Sequence, residues 1–281
     1  TWAERNRTLR AAVGLFEKWE GGAGDTIRVV LAPHAPYTCP PEFLAEVARL
    51  SRRLNAPVTI HLSETTREVE ECIRRNGKSP VKLALDSGLG DVRLVAAHCV
   101  HPVNDDISIL SSTSASVAHC PISNLNLGCG IAPVSRMMDA GLTVALGTDG
   151  AASGFTNDMF QTMRIAVLAQ KHLESDAAAL APARVLWMAT RGGALALGLD
   201  DCGALRTGMR ADLICVATDR PHFQPGLDLA AGLVHCAGPQ DVVLTVVNGR
   251  VLKKGDRLLV LDEEAVLANA RSRAQRLVAG L

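Results

Sequence analysis

The feature that most constrains the fold is an alternation of short apolar segments with helical patterns, which continues to about residue 182. Between these segments the apolar residues recur at helical spacing, as in the pattern that begins at Pro41. Such alternation predicts parallel strands joined by right-handed helical crossovers. The segments predicted to be buried strands are Ile27–Leu31, Val58–Leu62, Arg93–Ala97, Ala115–Ala118 and Leu142–Leu146.

Polar residues follow these predicted strands at their carboxyl ends. They are His34, His61, His98, His119 and Asp149. In a (β/α)8 barrel these ends form the active face, and a doubly wound sheet also places its sites there. The sequence has no Gly-x-Gly-x-x-Gly turn that would hold a dinucleotide, which favours the barrel.

The pattern changes after about residue 182. Two helical segments lead to the short strands predicted at Leu213–Ala217, Val242–Asn248, Val251–Lys253 and Arg257–Leu261, and a helix from Asp262 follows. Asn248-Gly249 is a strong signal for a hairpin turn. We therefore predict a partial barrel over residues 1–200 and a small β appendage, half of a composite β-sandwich with a final helix, over residues 201–281.

Composition excludes several classes of function. Lys+Arg and Asp+Glu are both 29, and aromatic residues make up 3%, so the chain lacks the basic surface and stacking groups of a nucleic-acid-binding protein. No apolar segment approaches the ~18 residues of a transmembrane helix, and we expect no membrane partner. The eight cysteines form no Cys-x-x-Cys motif, which favours reduced thiols and a cytoplasmic location.

The strand-end residues suit a hydrolytic metal site. Imidazoles and a carboxylate can hold a divalent ion, which activates a water as the nucleophile. His61 and Asp149 suit the ligand roles, Glu64 lies close enough to move a proton, and His98 could hold the attacking water or polarise the substrate. Each residue also has a structural interpretation: Asp149 suits a turn, and Glu64 suits a helix amino terminus. The predicted clustering on one face favours the functional interpretation.

The sequence resembles the amidohydrolase superfamily, and within it the methylthioadenosine/S-adenosylhomocysteine deaminases and the related chlorohydrolases. The matching segments include Ala32–Thr38, His61–Thr65, Ala96–Val100, Pro121–Leu127, Gly130–Val134 and Gly147–Ala151, together with Gly-x-x-x-x-Gly-x-x-Ala-Asp-Leu ending at Leu213. The resemblance implies an α/β fold of the metal-dependent (β/α)8 barrel type, of which this chain would supply strands 4–8 and their helices. Self-association into a homo-oligomer is also expected from it.

The resemblance further implies roles for individual residues. His61 and Asp149 would bind one divalent metal ion per subunit, zinc or iron. Glu64 would be the proton shuttle, His98 would assist the metal-bound water, and His34 would face the nucleoside. His119 has no assigned role beyond shaping the pocket.

One part of the family pattern is missing. The remaining metal ligands of the family form a His-x-His pair on the first strand, and this sequence contains no such pair. We therefore expect the activity in the parent protein and expect the chain alone to be inactive.

The expected reaction is hydrolytic deamination of an adenine nucleoside, namely S-adenosylhomocysteine, methylthioadenosine or adenosine. The first alternative hypothesis is a different reaction at the same site, as in a guanine-type deaminase or a triazine chlorohydrolase. The second alternative is a non-catalytic barrel fragment with a structural or binding role. Assays with a panel of substrates distinguish the first alternative from the leading hypothesis. Metal analysis of the parent protein distinguishes the second alternative from an enzyme.

Overall fold

A computed structural model describes residues 6–280. The described helices are α1 Arg7–Trp19, α2 Pro41–Leu54, α3 Thr66–Asn76, α4 Pro80–Asp86, α5 Asp106–Ser111, α6 Pro121–Asn126, α7 Val134–Asp139, α8 Ala151–Gly154, α9 Met159–Glu174, α10 Pro182–Trp187, α11 Gly193–Leu197, α12 Leu229–His235 and α13 Glu263–Ala279. The segment Gly22–Asp25 forms one further turn, which is not a regular helix because Ala23 and Gly24 inside it have left-handed backbone angles. The described strands are β1 Val58–Leu62, β2 Leu94–His98, β3 Ser116–His119, β4 Thr143–Leu146, β5 Leu213–Val216, β6 Val242–Val247, β7 Arg250–Lys254 and β8 Arg257–Leu258.

Strands β1 to β4 form a parallel sheet in chain order. Leu62 pairs with His98 across β1 and β2, and His119 pairs with Leu146 across β3 and β4. Because all four strands run in one direction, their carboxyl ends meet at one edge of the sheet. Helices separate the strands in sequence, as the alternation predicted. The result is an α/β fold with a parallel sheet.

The strand predicted at Ile27–Leu31 does not form, and this part of the prediction is wrong. Among the described residues, this segment contributes one isolated parallel bridge, between Leu31 and Val58. The Leu31 N–H donates to the Pro57 carbonyl, and the Thr59 N–H donates to the Leu31 carbonyl, both at 2.9 Å. The segment lies at the edge of the sheet next to β1. It is not a strand, because a strand needs a continuous ladder of hydrogen bonds. The described parallel sheet therefore has four strands and a bridge.

The apolar strands are buried because helices cover the sheet. The apolar spacing of helix α2, which begins after Pro40, predicts a buried face of Phe43, Val47, Leu50 and Leu54. Val47 and Leu50 lie in the core together with Leu44, while Phe43 and Leu54 are partly buried against it. Helix α9 contributes Met163, Ala166 and Val167 to the same core cluster. The π-helical segment Met188–Gly192 packs against β4, and the buried Met188 joins this cluster. The core thus fixes the strand ends rigidly in space.

Strands β5 to β8 form a second, antiparallel sheet in chain order. Asn248 and Gly249 join β6 to β7 with φ of 49° and 76°, which confirms the predicted hairpin turn. Helix α13 begins after Asp262, whose side chain accepts a hydrogen bond from the Ala265 N–H, as predicted. Within residues 6–280, no helix combines the length and apolar character needed to cross a bilayer.

Candidate active site at the carboxyl ends of the parallel strands

Three of the predicted histidines lie in a row. The ring centroids of His34 and His61 are 5.1 Å apart, and those of His61 and His98 are also 5.1 Å apart with the rings stacked. His61 belongs to β1 and His98 to β2, while His34 follows the bridge at Leu31. Strand alignment thus brings together side chains that are far apart in sequence.

The backbone turns sharply where these strands end. Ser63, His98, Cys99 and Asp149 have φ of 51°, 70°, 47° and 59°, in the left-handed region that residues other than glycine seldom adopt. Such conformations cost free energy and persist when surrounding contacts enforce them. Four such residues thus lie where the parallel strands end.

One ring nitrogen of His61 is engaged by the backbone. The His61 Nδ1 lies 2.7 Å from the His34 carbonyl oxygen. A carbonyl can only accept, so Nδ1 carries the proton and the lone pair of the neutral ring is on Nε2. Histidines that bind metals are commonly oriented by such a bond on the second nitrogen. The tautomer of His61 therefore suits a metal ligand.

His98 is held in the same manner and faces Glu64. The His98 Nδ1 donates to the Asn124 Oδ1 at 2.8 Å, which places the lone pair of the neutral ring on Nε2. This Nε2 lies 3.8 Å from the Glu64 Oε2. The His98 side chain is 2% exposed and that of Glu64 is 18% exposed. Glu64, which the sequence suggested as a proton carrier, and His98, which it suggested as the group that assists the attacking water, are therefore neighbours and mostly shielded from solvent.

Asp149 follows β4 and is held as a carboxylate. The Ser123 hydroxyl donates to its Oδ2 at 2.7 Å, and the Gly150 N–H donates to its Oδ1 at 2.6 Å. Burial raises the pKa of this carboxyl, but the hydrogen bonds from Ser123 and Gly150 and the charges of His98 and His61 outweigh burial, so its pKa lies below the usual value. Asp149 thus offers a negative charge beside the histidine row.

The donor types fit a divalent metal ion, although the set is small. Imidazole nitrogen and carboxylate oxygen are ligands that zinc and iron both accept. Catalytic zinc sites commonly use three protein ligands and one open position. In the part of the chain that the structure describes, no group of three or more His, Cys, Asp or Glu side chains is arranged to hold a metal. His61 and Asp149 are therefore suited to be part of a ligand set.

The spacing of Thr65 and Glu68 predicts a capping box at the start of α3, but the turn after β1 differs from one. The Thr65 hydroxyl accepts from the Glu68 N–H at 3.1 Å, as expected for such a box. The Glu68 carboxylate instead accepts from the N–H groups of Ser63 and Glu64, at 3.0 and 2.7 Å. The left-handed Ser63 directs both donors at the buried Glu68. Glu68 therefore holds the backbone that carries Glu64.

His119 lies apart from the row of rings. It is fully buried, and neither of its ring nitrogens has a hydrogen-bond partner among the described residues. Burial, and secondarily the charge of His98, lowers the pKa of His119 from 6.5 to about 3. His119 is thus a neutral, buried imidazole at neutral pH.

Sequence reasoning missed several contacts of the site. It gave no role to Ser123 and Asn124, although both follow the strand-end His119 closely, which is the available signal. Glu68 was expected to cap a helix, and no signal in the sequence marks Cys129, whose Sγ lies 3.7 Å from the Glu64 Oε1. A cleft of about 400 Å³ opens beside Glu64 and is lined by Tyr37, Glu64, Thr65, Arg67, Glu68, Glu71 and Arg75. The cleft provides an approach to Glu64 from solvent.

Comparison with known proteins identifies the family. The model of the amidohydrolase family matches residues 3–252. The chain is 45% identical over 272 residues to a 5-methylthioadenosine/S-adenosylhomocysteine deaminase of Pelotomaculum thermopropionicum, covering 97% of this chain and 63% of the relative. It is also 45% identical to the deaminase of that name from Desulforudis audaxviator, covering 97% of this chain and 64% of the relative.

Solved structures agree with this assignment. A zinc-bound adenosine deaminase of Xanthomonas campestris superposes with a TM-score of 0.92 at 33% identity, covering 96% of this chain and 62% of that one. A zinc complex of an atrazine chlorohydrolase from Arthrobacter aurescens superposes with a TM-score of 0.89 at 28% identity, covering 95% and 59%. The chain spans less than two thirds of the length of these relatives. It belongs to the amidohydrolase family.

Proposed function

We propose that the protein to which this chain belongs is a metal-dependent hydrolase that deaminates an adenine nucleoside. The observation that carries this proposal is the arrangement of His61, His98 and Glu64, in which a stacked pair of oriented imidazoles faces a partly buried carboxylate. The names of the curated relatives point to S-adenosylhomocysteine and methylthioadenosine as substrates. The product would be the inosine-type nucleoside, with release of ammonia.

His61 and Asp149 would hold one divalent metal ion, with zinc the first choice because solved relatives contain it. The metal, when bound, lowers the pKa of a water from 15.7 to about 7 and so supplies a nucleophile at neutral pH. The hydrogen bond from His61 Nδ1 to the His34 carbonyl keeps Nε2 available as a ligand. We infer that further ligands come from parts of the protein outside this chain, since two protein ligands are fewer than a catalytic site commonly uses.

The chain's own residues would carry the proton transfers. Glu64 would take a proton from the attacking water and deliver it to the ring nitrogen beside the amino-bearing carbon. A second proton would then pass to the amino group, which leaves as ammonia. His98, oriented by Asn124, would hold the attacking water through its Nε2 lone pair. His34, near the mouth of the site, would contact the nucleoside.

The fold supports the same proposal at a coarser level. We infer that β1 to β4 are strands 5–8 of a (β/α)8 barrel that other parts of the protein complete, and that the segment bridged at Leu31 occupies the position of strand 4 without forming a ladder. We likewise propose a division between residues 1–200, which carry the site, and residues 201–281, which carry the antiparallel sheet.

The test uses the intact protein loaded with zinc. Ammonia release from S-adenosylhomocysteine, methylthioadenosine and adenosine is measured for the wild type and for Glu64→Gln. We expect kcat to fall by at least about 10²-fold in Glu64→Gln, because general acid–base catalysis contributes that much or more. Glu70→Gln, which changes an exposed carboxylate on helix α3 six residues after Glu64, is the matched control and should retain full activity. Undiminished ammonia release by Glu64→Gln would exclude the role given to Glu64.

The second candidate reaction is hydrolytic dechlorination of a triazine, because an atrazine chlorohydrolase has a closely similar fold. The same set of assays should therefore include a chlorotriazine. Attack on an electron-poor ring carbon would then expel chloride in place of ammonia. Chloride release from a chlorotriazine, without ammonia release from any nucleoside, would favour this alternative. Metal analysis of the intact protein tests the non-catalytic alternative: near-stoichiometric metal supports an enzyme, and the absence of bound metal supports a binding role.

A further inference from the structure

The segment after β3, from Asn124 to Gly130, touches both Glu64, the proposed proton carrier, and His98, which would hold the attacking water. The Asn124 Oδ1 accepts from the His98 Nδ1 at 2.8 Å. The Cys129 Sγ lies 3.7 Å from the Glu64 Oε1, within reach of a hydrogen bond from a thiol. Cys129 follows Asn124 by five positions in sequence, so one short stretch of chain contacts both members of the Glu64–His98 pair.

The direction of the Cys129 side chain is set by its backbone. The Cys129 N–H donates to the Asn124 carbonyl at 2.8 Å, and its own carbonyl accepts from the His101 Nε2 at 2.6 Å. Gly130 has φ of 113°, and a Cβ at this position would lie 3.2 Å from a methyl of Val100. The side chain is 8% exposed. The backbone of Cys129 is therefore held in place, and from this position its thiol reaches Glu64.

The chemistry of the contact follows from its surroundings. Burial and the charge of Glu64 raise the pKa of the Cys129 thiol to about 11, so the sulfur keeps its proton at neutral pH. A protonated thiol donates weakly, and a carboxylate only accepts. With Oε1 engaged by Cys129, Oε2 is the oxygen that lies 3.8 Å from the His98 Nε2. The two oxygens of Glu64 are thus distinguished by their partners.

We propose that residues 124–130 form a positioning element for proton transfer, in which Asn124 orients His98 and the Cys129 thiol orients Glu64. The catalytic meaning of this element rests on the proposed deamination. Cys129 and Asn124 are positioning residues that act through Glu64 and His98. The element keeps the proton-carrying oxygen of Glu64 directed at the substrate side of the site while the other oxygen stays bound to sulfur.

The contact itself is tested by infrared spectroscopy of the S–H stretch in the intact, zinc-loaded protein. Subtracting the spectrum of Cys129→Ala, or of Cys129→Ser if the alanine variant does not fold, isolates the band of one thiol. We expect this band at lower frequency in the wild type than in Glu64→Ala, where the acceptor is removed. An unchanged band would overturn the proposal, because the thiol would then make no hydrogen bond to Glu64.

The catalytic consequence is tested by steady-state kinetics on the same protein. In Cys129→Ala we expect kcat to fall roughly tenfold with KM unchanged. This loss is smaller than the roughly 10²-fold or more that general acid–base catalysis supplies, because Glu64 itself remains. Cys129→Ser, which restores a donor, should recover most of the loss. Cys72→Ala is the matched control, since Cys72 is also 8% exposed but lies on α3, and it should keep full kcat.

The two tests separate the positioning role from the proposed function. A wild type that deaminates no nucleoside but shows the shifted S–H band would overturn the proposed function and leave the Cys129–Glu64 contact standing. A wild type that deaminates while Cys129→Ala and Cys129→Ser both retain full kcat would overturn the positioning role alone. Equal losses in the Ala and Ser variants would also overturn it, because a restored donor would then have no effect.

Discussion

His119 should make the protein sensitive to acid, and replacing it should remove part of this sensitivity. In the folded protein burial lowers the pKa of His119 from 6.5 to about 3. In the unfolded chain the imidazole binds a proton near its ordinary value. Between these two values the unfolded state binds more protons, so the free energy of unfolding rises with pH and is lost as pH falls below about 6.5.

The magnitude follows from this difference in proton binding. Each pH unit inside the window is worth about 1.4 kcal/mol for one group. Lowering the pH from 6.5 to 5.0 should therefore cost the wild type roughly 2 kcal/mol through His119 alone. His119→Gln and His119→Leu both remove the titration. His119→Leu also removes two buried nitrogens that have no partner among the described residues, so it should be neutral or stabilising at pH 7.5.

The assay is urea unfolding of the wild type and both variants at several pH values between 5.0 and 7.5. We expect the stability difference between His119→Gln and wild type to shift by roughly 2 kcal/mol in favour of the variant on going from pH 6.5 to pH 5.0. His172→Gln, which changes an exposed imidazole on α9, is the control and should follow the wild type. Parallel plots of the free energy of unfolding against pH for the wild type and both His119 variants would refute the reasoning. His119 would then have the same pKa in the folded and the unfolded state.

Two further predictions concern the scaffold. Glu68→Ala leaves the N–H groups of Ser63 and Glu64 without their acceptor, at about 1–3 kcal/mol each. Denaturant titration should therefore show a loss of roughly 2–6 kcal/mol in the free energy of unfolding; stability equal to that of the wild type would mean that water replaces the carboxylate. Gly192→Ala places a Cβ 3.0 Å from the Val144 carbonyl oxygen and 2.9 Å from the Trp187 ring. We expect it to lower the free energy of unfolding by about 1–3 kcal/mol. The control is Gly14→Ala on α1, where a Cβ meets nothing within 4 Å, and it should be neutral or stabilising. Equal melting temperatures for the two glycine variants would contradict the packing argument.

Local sequence patterns determined most of the secondary structure. The apolar strands β1 to β4, the helices between them and the Asn248-Gly249 hairpin all follow from spacing and turn chemistry, which depend on neighbouring residues. The same patterns placed His61, His98 and Asp149 at strand ends, and parallel pairing then required them to share one edge of the sheet. The segment at Ile27–Leu31 could not be predicted in this way, because a strand exists only where a partner completes its ladder.

The atomic arrangement of the site depended on tertiary structure. The bond between His61 and the His34 carbonyl spans 27 residues, the bond between His98 and Asn124 spans 26, and the contact of Cys129 with Glu64 spans 65. These contacts determine which ring nitrogen carries a proton and which carboxylate oxygen faces His98. Sequence spacing carries no information on such distances, because they arise only when packing has fixed the strand ends and the loops that follow them.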